Sequence, residues 1–255
     1  LPPACVNGGG AATRVQLGVS AQLGQPVSIE GVARHALDCW RPRRGEALTV
    51  EDAAGRGFRA RILEYDDAHA VLLPFEELER APESPVRIEV YQALPQRERF
   101  ELILQKLTEI GVARIVPFES SRSITQQERD VGQKKSHRWP EVVLKAAKQC
   151  RRGMIPELLA FHSWDAALYE AHHADLRFFF YEGSATWSLR EALNGERPRR
   201  LALMVGPEGG FSADEFTEMR ALDMLPVSLG PRILRTETAA IVGAAIVQHV
   251  LGDLY

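Results

Sequence analysis

The sequence predicts an α/β protein built on a mostly parallel sheet, with a small all-β unit ahead of it. Three observations carry that reading. Short strand-like runs broken by turn residues fill about residues 12–80, and after residue 85 apolar runs of strand length alternate with helical patterns. Near the C-terminus two glycine-bearing corners, Gly206-Pro207-Glu208-Gly209-Gly210-Phe211-Ser212 and Leu229-Gly230-Pro231-Arg232-Ile233-Leu234-Arg235-Thr236-Glu237-Thr238, each follow a strand and open a helix. In an open parallel sheet ligands sit outside the carboxyl ends of the strands, so two neighbouring corners describe a ligand cleft.

In the first part, strands are expected at Thr13 to Val19, Pro26 to Glu30, Ala47 to Glu51, Gly57 to Glu64 and Ala68 to Phe75. Arg44-Gly45, Gly55-Arg56-Gly57 and Asp66-Asp67 supply the turns, and a small β-barrel is the natural outcome. Ala81-Pro82-Glu83-Ser84-Pro85 reads as a linker, which sets domains of 1–82 and 83–255. Beyond it, strands are expected at Val86 to Ala93, Val112 to Phe118, Leu176 to Tyr181, Leu201 to Val205 and Leu225 to Leu229. Arg97 to Ile110 reads as a helix with Phe100, Ile103, Leu104, Leu107 and Ile110 on one face, stopped by Gly111.

The corners can be read residue by residue. Proline cannot donate to a ladder, so Gly206-Pro207 ends the strand Leu201–Val205, and Ser212 with Glu215 forms a capping box flanked by the staple positions Phe211 and Phe216. In the second corner Gly230-Pro231 makes the break and Thr236 is the expected N-cap of a long terminal helix. Ala239, Ala240, Gly243, Ala244 and Ala245 on that helix permit close packing against the sheet or a second subunit.

Composition narrows the function classes. Hydrophobic residues at 45% and charged residues at 25% describe an ordinary globular chain, and no apolar stretch is long enough to span a membrane. The chain opens Leu1-Pro2-Pro3-Ala4, without Met and without signal-peptide regions, so a start further upstream is expected. Cys5, Cys39 and Cys150 are widely spaced and odd in number, which points to a reducing cytoplasm and away from a disulfide framework or a metal site. His172-His173 reads as a solvated helix end.

The net charge is -3, yet seven basic residues and one acidic residue, Glu141, lie between Lys134 and Arg152. A helix there would bury Trp139, Val143, Ala146, Ala147 and Cys150 and present Lys145, Lys148 and Arg152 on another face. Such a ridge is either a solvated surface or a contact for nucleic-acid phosphates. At the corners a phosphate-binding loop is excluded, because neither G-x-x-x-x-G-K-[ST] nor G-x-G-x-x-G occurs and Glu208 brings negative charge. A zwitterionic or cationic ligand with a flat ring suits the corners better.

The two corner motifs, with Gln105-Lys106-Leu107-Thr108-Glu109-Ile110-Gly111-Val112, Arg138-Trp139 and Gln149 to Arg152, resemble the bacterial 16S ribosomal RNA uracil-N3 methyltransferases of the SPOUT superfamily. The resemblance covers about residues 30–255, and its C-terminal motifs are the specific part. It implies a PUA-like RNA-binding barrel followed by a methyltransferase domain with a C-terminal trefoil knot, acting as a homodimer. It further implies S-adenosylmethionine as cofactor, and as substrate 16S rRNA in the assembled small ribosomal subunit, methylated at N3 of a decoding-region uridine.

By the same resemblance, Tyr181, Glu182, Leu203, Val205, Gly206, Pro207, Glu208, Gly209, Leu229, Gly230, Ile233, Leu234 and Thr236 are the expected cofactor-binding residues. Lys106, Arg122, Lys145, Lys148 and Arg152 are the expected RNA contacts. The N3 proton of uracil must leave for methylation, so Glu237 is the candidate base, with Arg232 and Arg235 stabilising the negative charge that develops. The alternative for Glu237 is a first-turn residue that only supports its helix. His35-Ala36-Leu37-Asp38-Cys39-Trp40-Arg41 departs from the family's Arg-Val-Leu-Arg run, placing Asp38 where an arginine is usual. Other readings are a SPOUT enzyme acting on another rRNA or tRNA site, or a non-catalytic RNA-binding assembly factor.

Overall fold

The computed structural model describes residues 9–95, 99–132, 138–183 and 187–255. Leu1–Ala4, Cys5, Arg97, Lys134 and Lys135 therefore lie outside the described residues. The chain forms two compact units: the part up to Glu83 together with Val143–Glu157, and Ser84–Val142 together with Leu158–Tyr255.

The first unit is a four-stranded antiparallel sheet of β1 (Val27–Ile29), β2 (Ala47–Glu51), β3 (Gly57–Tyr65) and β4 (Ala70–Glu77), in the order β1-β4-β3-β2. Four of the five expected strands are present. The expected strand Thr13–Val19 is not: Ala11–Thr13 is a 3-10 turn, and Gln16 makes only an isolated parallel bridge to Glu51. Thr13 turns its hydroxyl back onto Gly10 O at 2.7 Å, and Gly18 at φ +71° bends the chain before a ladder can extend.

A helix, α1 (Gly31–Cys39), occupies a segment that was not among the expected elements, and its inward side includes the buried Arg34. Arg34 is held by Asp38 one turn on and stacks over the Tyr65 ring at 4.0 Å, while Tyr65 also bonds Asp38. Asp38, the departure from the arginine run, thus neutralises a buried guanidinium within this unit.

In the second unit β5 (Arg87–Ala93), β6 (Arg114–Phe118), β7 (Glu157–Leu158), β8 (Leu176–Phe180), β9 (Trp187–Ser188), β10 (Arg200–Val205) and β11 (Leu225–Ser228) form one sheet, ordered β7-β6-β5-β10-β8-β11-β9. Every pairing from β6 to β9 is parallel. Helices α2 (Phe100–Ile110), α3 (Gln126–Gly132), α4 (Trp139–Gln149), α5 (Trp164–His172), α6 (Leu189–Ala192), α7 (Ala213–Ala221) and α8 (Thr236–Leu251) complete the alternation, and α4 runs on into the first unit from Val143. The α/β class and the parallel sheet are those read from the sequence. Of its described strands only the two-residue β7 and β9 were not expected, being too short for periodicity to register, and α3, α5 and α6 were not individually placed.

One core cluster joins Tyr91, Val116, Phe118, Phe179, Met204, Phe211 and Met219, all buried. Helix α2 buries Phe100, Ile103, Leu104 and Leu107 and stops at Gly111, whose φ of +95° is the left-handed terminus expected of glycine. Beneath the sheet's entry edge, Glu89 is fully buried and bonded by Arg87 (2.9 Å) and Arg200 (2.8 Å). Burial opposes its charge, but these guanidiniums outweigh burial and keep its pKa below the usual glutamate value. Among the described residues no helix is long and apolar enough to cross a membrane, and no cluster could hold a metal ion.

Candidate functional site

Strand order positions the site. β8 lies between β10 and β11, so the loops leaving these three strands emerge side by side at their carboxyl ends. They enclose a cleft of about 590 Å³, lined from Phe180 to Gly183, from Val205 to Phe211 and from Val227 to Thr236, with Arg122 and Ala239 completing it. The two glycine corners read from the sequence are thus two walls of one cleft, and the segment after β8 is the third.

Each wall is fixed by its own chemistry. In the first corner Gly210 takes φ +66° and donates to Pro207 O at 2.9 Å, closing the turn. Ser212 and Glu215 then form the expected capping box of α7. Phe179 contacts both staple rings, Phe211 and Phe216, at centroid distances of 6.1 and 5.4 Å. Glu215 also accepts from Ser121 N at 2.7 Å. Burial would raise its pKa, but the Ser121 and Ser212 amides prevail and lower it, so it stays ionised and clasps the loop after β6. From that loop Arg122 donates to Gly209 O at 3.0 Å and Phe211 O at 3.4 Å, bracing the corner from outside.

The second corner is shaped by Ser228, whose Oγ accepts from Gly230 N at 3.1 Å while Gly230 takes φ +119°. Thr236 is not the N-cap of α8, as expected, but its first residue; Arg235 holds the cap position without a side-chain bond. The Thr236 hydroxyl is used elsewhere, donating to Gly206 O at 2.6 Å and accepting from Gln92 Nε2 at 2.9 Å. Opposite, Tyr181 N reaches Val227 O at 3.1 Å and its ring packs on Phe216 at 4.7 Å. Gly243 on α8 leaves room for Phe180: a Cβ there would fall 2.1 Å from Phe180 Cζ.

The residues expected from the sequence divide clearly. Tyr181, Glu182, Val205, Gly206, Pro207, Glu208, Gly209, Leu229, Gly230, Ile233, Leu234 and Thr236 all line the cleft, as do Arg122, Arg232 and Arg235. Leu203 does not; it is fully buried inside β10. Glu237 also lies outside the lining, 9% exposed and paired with Arg99 at 3.2 Å. Glu237 is turned about 100° from Thr236, away from the face that Thr236 shares with Ala239 three residues on. Arg99 is a partner that no local spacing could have shown.

The basic residues separate too. Lys106 pairs with Glu109 at 2.8 Å and Lys148 with Glu46 at 2.9 Å, while Lys145 is exposed on α4. Arg152 does not share their face. The helix ends at Gln149, Arg151 adopts φ +60°, and Arg152 turns inward, 5% exposed, onto Glu83 at 3.2 Å. The same carboxylate accepts from Gly153 N and Met154 N.

The cleft combines a mostly apolar floor, open glycine backbone, the carboxylates Glu182 and Glu208, and the guanidiniums Arg232 and Arg235. Such a set suits a zwitterion with a flat ring at one end and an anionic substrate at the other.

Comparison with known proteins agrees. The RNA methyltransferase domain family matches residues 82–248. A ribosomal RNA small subunit methyltransferase E of Mycobacterium bovis is 32% identical over 222 residues, 84% of this chain and 82% of the relative. The solved ribosomal RNA small subunit methyltransferase E of Neisseria gonorrhoeae, bound to S-adenosyl methionine, superposes with a TM-score of 0.66 at 28% identity, covering 95% of this chain and 99% of that one. A Legionella pneumophila chain described as a candidate methyltransferase, in complex with the bound cofactor SAM, gives a TM-score of 0.65 at 33% identity over 95% and 99%. With its cleft at the carboxyl ends of β8, β10 and β11, the chain belongs to the RNA methyltransferase family that includes the ribosomal RNA small subunit methyltransferases E.

Proposed function

We propose that the chain transfers a methyl group from S-adenosylmethionine to N3 of a specific uridine in 16S rRNA, in the assembled small ribosomal subunit in the cytoplasm. The convergence of three strand-end loops on one cleft carries the proposal. When bound, S-adenosylmethionine supplies an electrophilic methyl on a sulfonium. Leu229, Ile233, Leu234 and Ala239, which line the cleft, would offer apolar contact to its adenine, and the backbone of Gly206 to Gly209 would face the methionine portion. Glu208 would supply a counter-charge for its ammonium. The solved relatives that hold this cofactor support the assignment.

Arg232 and Arg235 are exposed at the mouth of the cleft, and among the described residues neither side chain forms an ion pair. They are free to meet RNA and to stabilise the imide anion formed when N3 loses its proton to solvent, leaving N3 as the nucleophile. Glu237 holds the first turn of α8 through Arg99. The same reading includes a knotted passage of the chain at the three loops, a PUA-like barrel at 1–82 ahead of the methyltransferase domain at 83–255, and a homodimer. Lys106, Lys145 and Lys148 would then lie along the RNA.

N3 is on the Watson–Crick edge and is hidden in paired RNA, so a structured particle that presents one unpaired uridine is the expected substrate. Calorimetric titration of S-adenosylmethionine tests the cofactor half directly. One site per chain, weakened by Gly230→Val, supports it; no binding would favour an assembly factor without catalysis.

A further inference from the structure

Gln92 lies in β5 between Pro117 of β6 and Val205 of β10 and is fully buried. It is not among the residues that line the cleft. Its Nε2 donates to Ala93 O at 2.8 Å and to Thr236 Oγ1 at 2.9 Å, whereas its Oε1 has no hydrogen-bond partner among the described residues. A buried acceptor left without a donor is costly, and an apolar side chain of similar length, such as methionine, would avoid that cost. What glutamine brings to this position is its pair of N–H donors.

The direction of each bond in this chain follows from the one before it. Ala93 O is a carbonyl and can only accept, so the amide nitrogen of Gln92 must face it; the reverse orientation would press two acceptors together. The second N–H of that nitrogen then points at Thr236 Oγ1, which is thereby used as an acceptor. A hydroxyl has a single proton, and that of Thr236 goes to Gly206 O at 2.6 Å. Without the Gln92 amide, a threonine at the start of a helix is free to turn its proton elsewhere, for instance onto a carbonyl of the preceding turn.

At Gly206 that direction matters. The link from Gly206 to Pro207 has no N–H, so its carbonyl is the only polar group by which the peptide plane can be held. Glycine on one side of the link adds backbone freedom. The Phe211 ring fills the space where a side chain of Gly206 would begin, a Cβ there falling 3.3 Å from Phe211 Cε2. Beyond Pro207 the corner closes through Gly210 N, which donates to Pro207 O at 2.9 Å.

We infer that Gln92 is a positioning residue for the cofactor: from outside the cleft it sets the direction of the Thr236 hydroxyl, which holds the Gly206–Pro207 peptide in the plane that faces the methionine portion of S-adenosylmethionine. The inference rests on the reading of the cleft as a cofactor site. Gln92 touches neither cofactor nor substrate and acts only through Thr236.

The test is a double-mutant cycle on the full chain with Gln92→Met, Thr236→Val and the two combined, read by calorimetric titration of S-adenosylmethionine. Urea unfolding verifies that each variant is folded under the titration conditions, and Gln92→Leu is carried in parallel as a second apolar replacement of different shape. Gln92→Met is expected to weaken binding about three- to tenfold, the range for one modest hydrogen bond, and Thr236→Val roughly tenfold. Because the first acts through the second, the combined variant should bind no more weakly than Thr236→Val alone; independent effects would multiply to roughly 30- to 100-fold. In a Thr236→Ser background, which keeps the hydroxyl, Gln92→Met should have its full effect. A general loss of packing at position 92 would not follow this pattern.

Hydrogen exchange of the ligand-free protein separates this inference from the cofactor reading. Gln92→Met should speed exchange about threefold or more across Gly206–Phe211, the segment that holds the Gly210 N–H bonded to Pro207 O. Thr236→Val should do the same, with no further gain in combination. Multiplying losses of affinity, or wild-type affinity and exchange in Gln92→Met, would overturn the inference. Absence of S-adenosylmethionine binding in wild type, with the exchange pattern intact, would instead sink the cofactor reading and leave the link from Gln92 through Thr236 to Gly206 standing.

Discussion

Thr236 ties the second glycine corner to the first by donating its hydroxyl to Gly206 O at 2.6 Å. The same oxygen accepts from the buried Gln92 amide at 2.9 Å, so a strand, a loop and the last helix meet at one hydroxyl. Replacing Thr236 by Val keeps the shape and removes both bonds. The expected cost is about 1–3 kcal/mol of stability, since two polar groups lose their partner. Affinity for S-adenosylmethionine should fall roughly tenfold. Thr236→Ser should bind normally; calorimetry and urea unfolding measure both, and a Val variant that binds like wild type would break the link.

Arg122 braces the first corner at Gly209 O and Phe211 O. Arg122→Ala should weaken cofactor binding by about three- to tenfold, the range expected for losing modest hydrogen bonds to a loop, with little change in melting temperature. A large fall in melting temperature with unchanged affinity would assign Arg122 to folding instead.

Gly243 is where α8 makes space for Phe180, a ring that lines the cleft. Gly243→Ala would improve helix propensity at an isolated site, but here its methyl collides with the ring. The clash decides the sign: a loss of about 1–3 kcal/mol is expected, with weaker cofactor binding. A stabilised variant with normal binding would contradict the packing described.

Glu237 pairs with Arg99 instead of facing the cleft. Glu237→Gln should therefore lower the methyl-transfer rate by less than about tenfold, whereas removing a general base costs ~10²–10⁴-fold. Single-turnover rates at saturating cofactor distinguish the two, and a loss in the larger range would restore Glu237 as the base.

Asp52 gives the first unit a pH signature. Burial opposes its charge, but Arg56 and the amides of Ala21 and Ala54 outweigh it, and the pKa falls from 3.8 to about 2. A carboxyl with a depressed folded pKa stabilises the fold above its unfolded pKa, and that contribution is lost as pH falls from about 4 to about 2. Asp52→Asn should be less stable than wild type at neutral pH, with the difference narrowing across that window. Acid titrations of stability check it, and a difference independent of pH would contradict it.

Local chemistry explains what was legible in the sequence. The Ser212–Glu215 capping box, the Gly111 stop and the apolar face of α2 depend on residues within a turn of one another, so spacing alone revealed them. Thr236 looked like a cap by the same logic, but its hydroxyl is bonded to a carbonyl thirty residues away. Arg152 left its expected face because Arg151 ends the helix in a left-handed conformation that no periodicity announces. Helix α1 was not among the expected elements, and the burial of its Arg34 against Asp38 and Tyr65 depends on a side chain thirty-one residues away. The twelve cleft-lining residues expected for the cofactor came from contiguous motifs, whereas the Arg99 partner of Glu237 and a cavity beside Arg59 arise only when distant segments pack.

Methyl transfer to RNA with identification of the product nucleoside is the decisive measurement. Purified chain is incubated with S-adenosylmethionine carrying a labelled methyl group, together with small ribosomal subunits from a strain lacking this gene. Digestion should release the label as 3-methyluridine, close to one per particle, with far less transfer to a short oligonucleotide of the same sequence. Label in a 2′-O-methyl nucleoside or in another base, or no transfer despite cofactor binding, would contradict the proposed reaction.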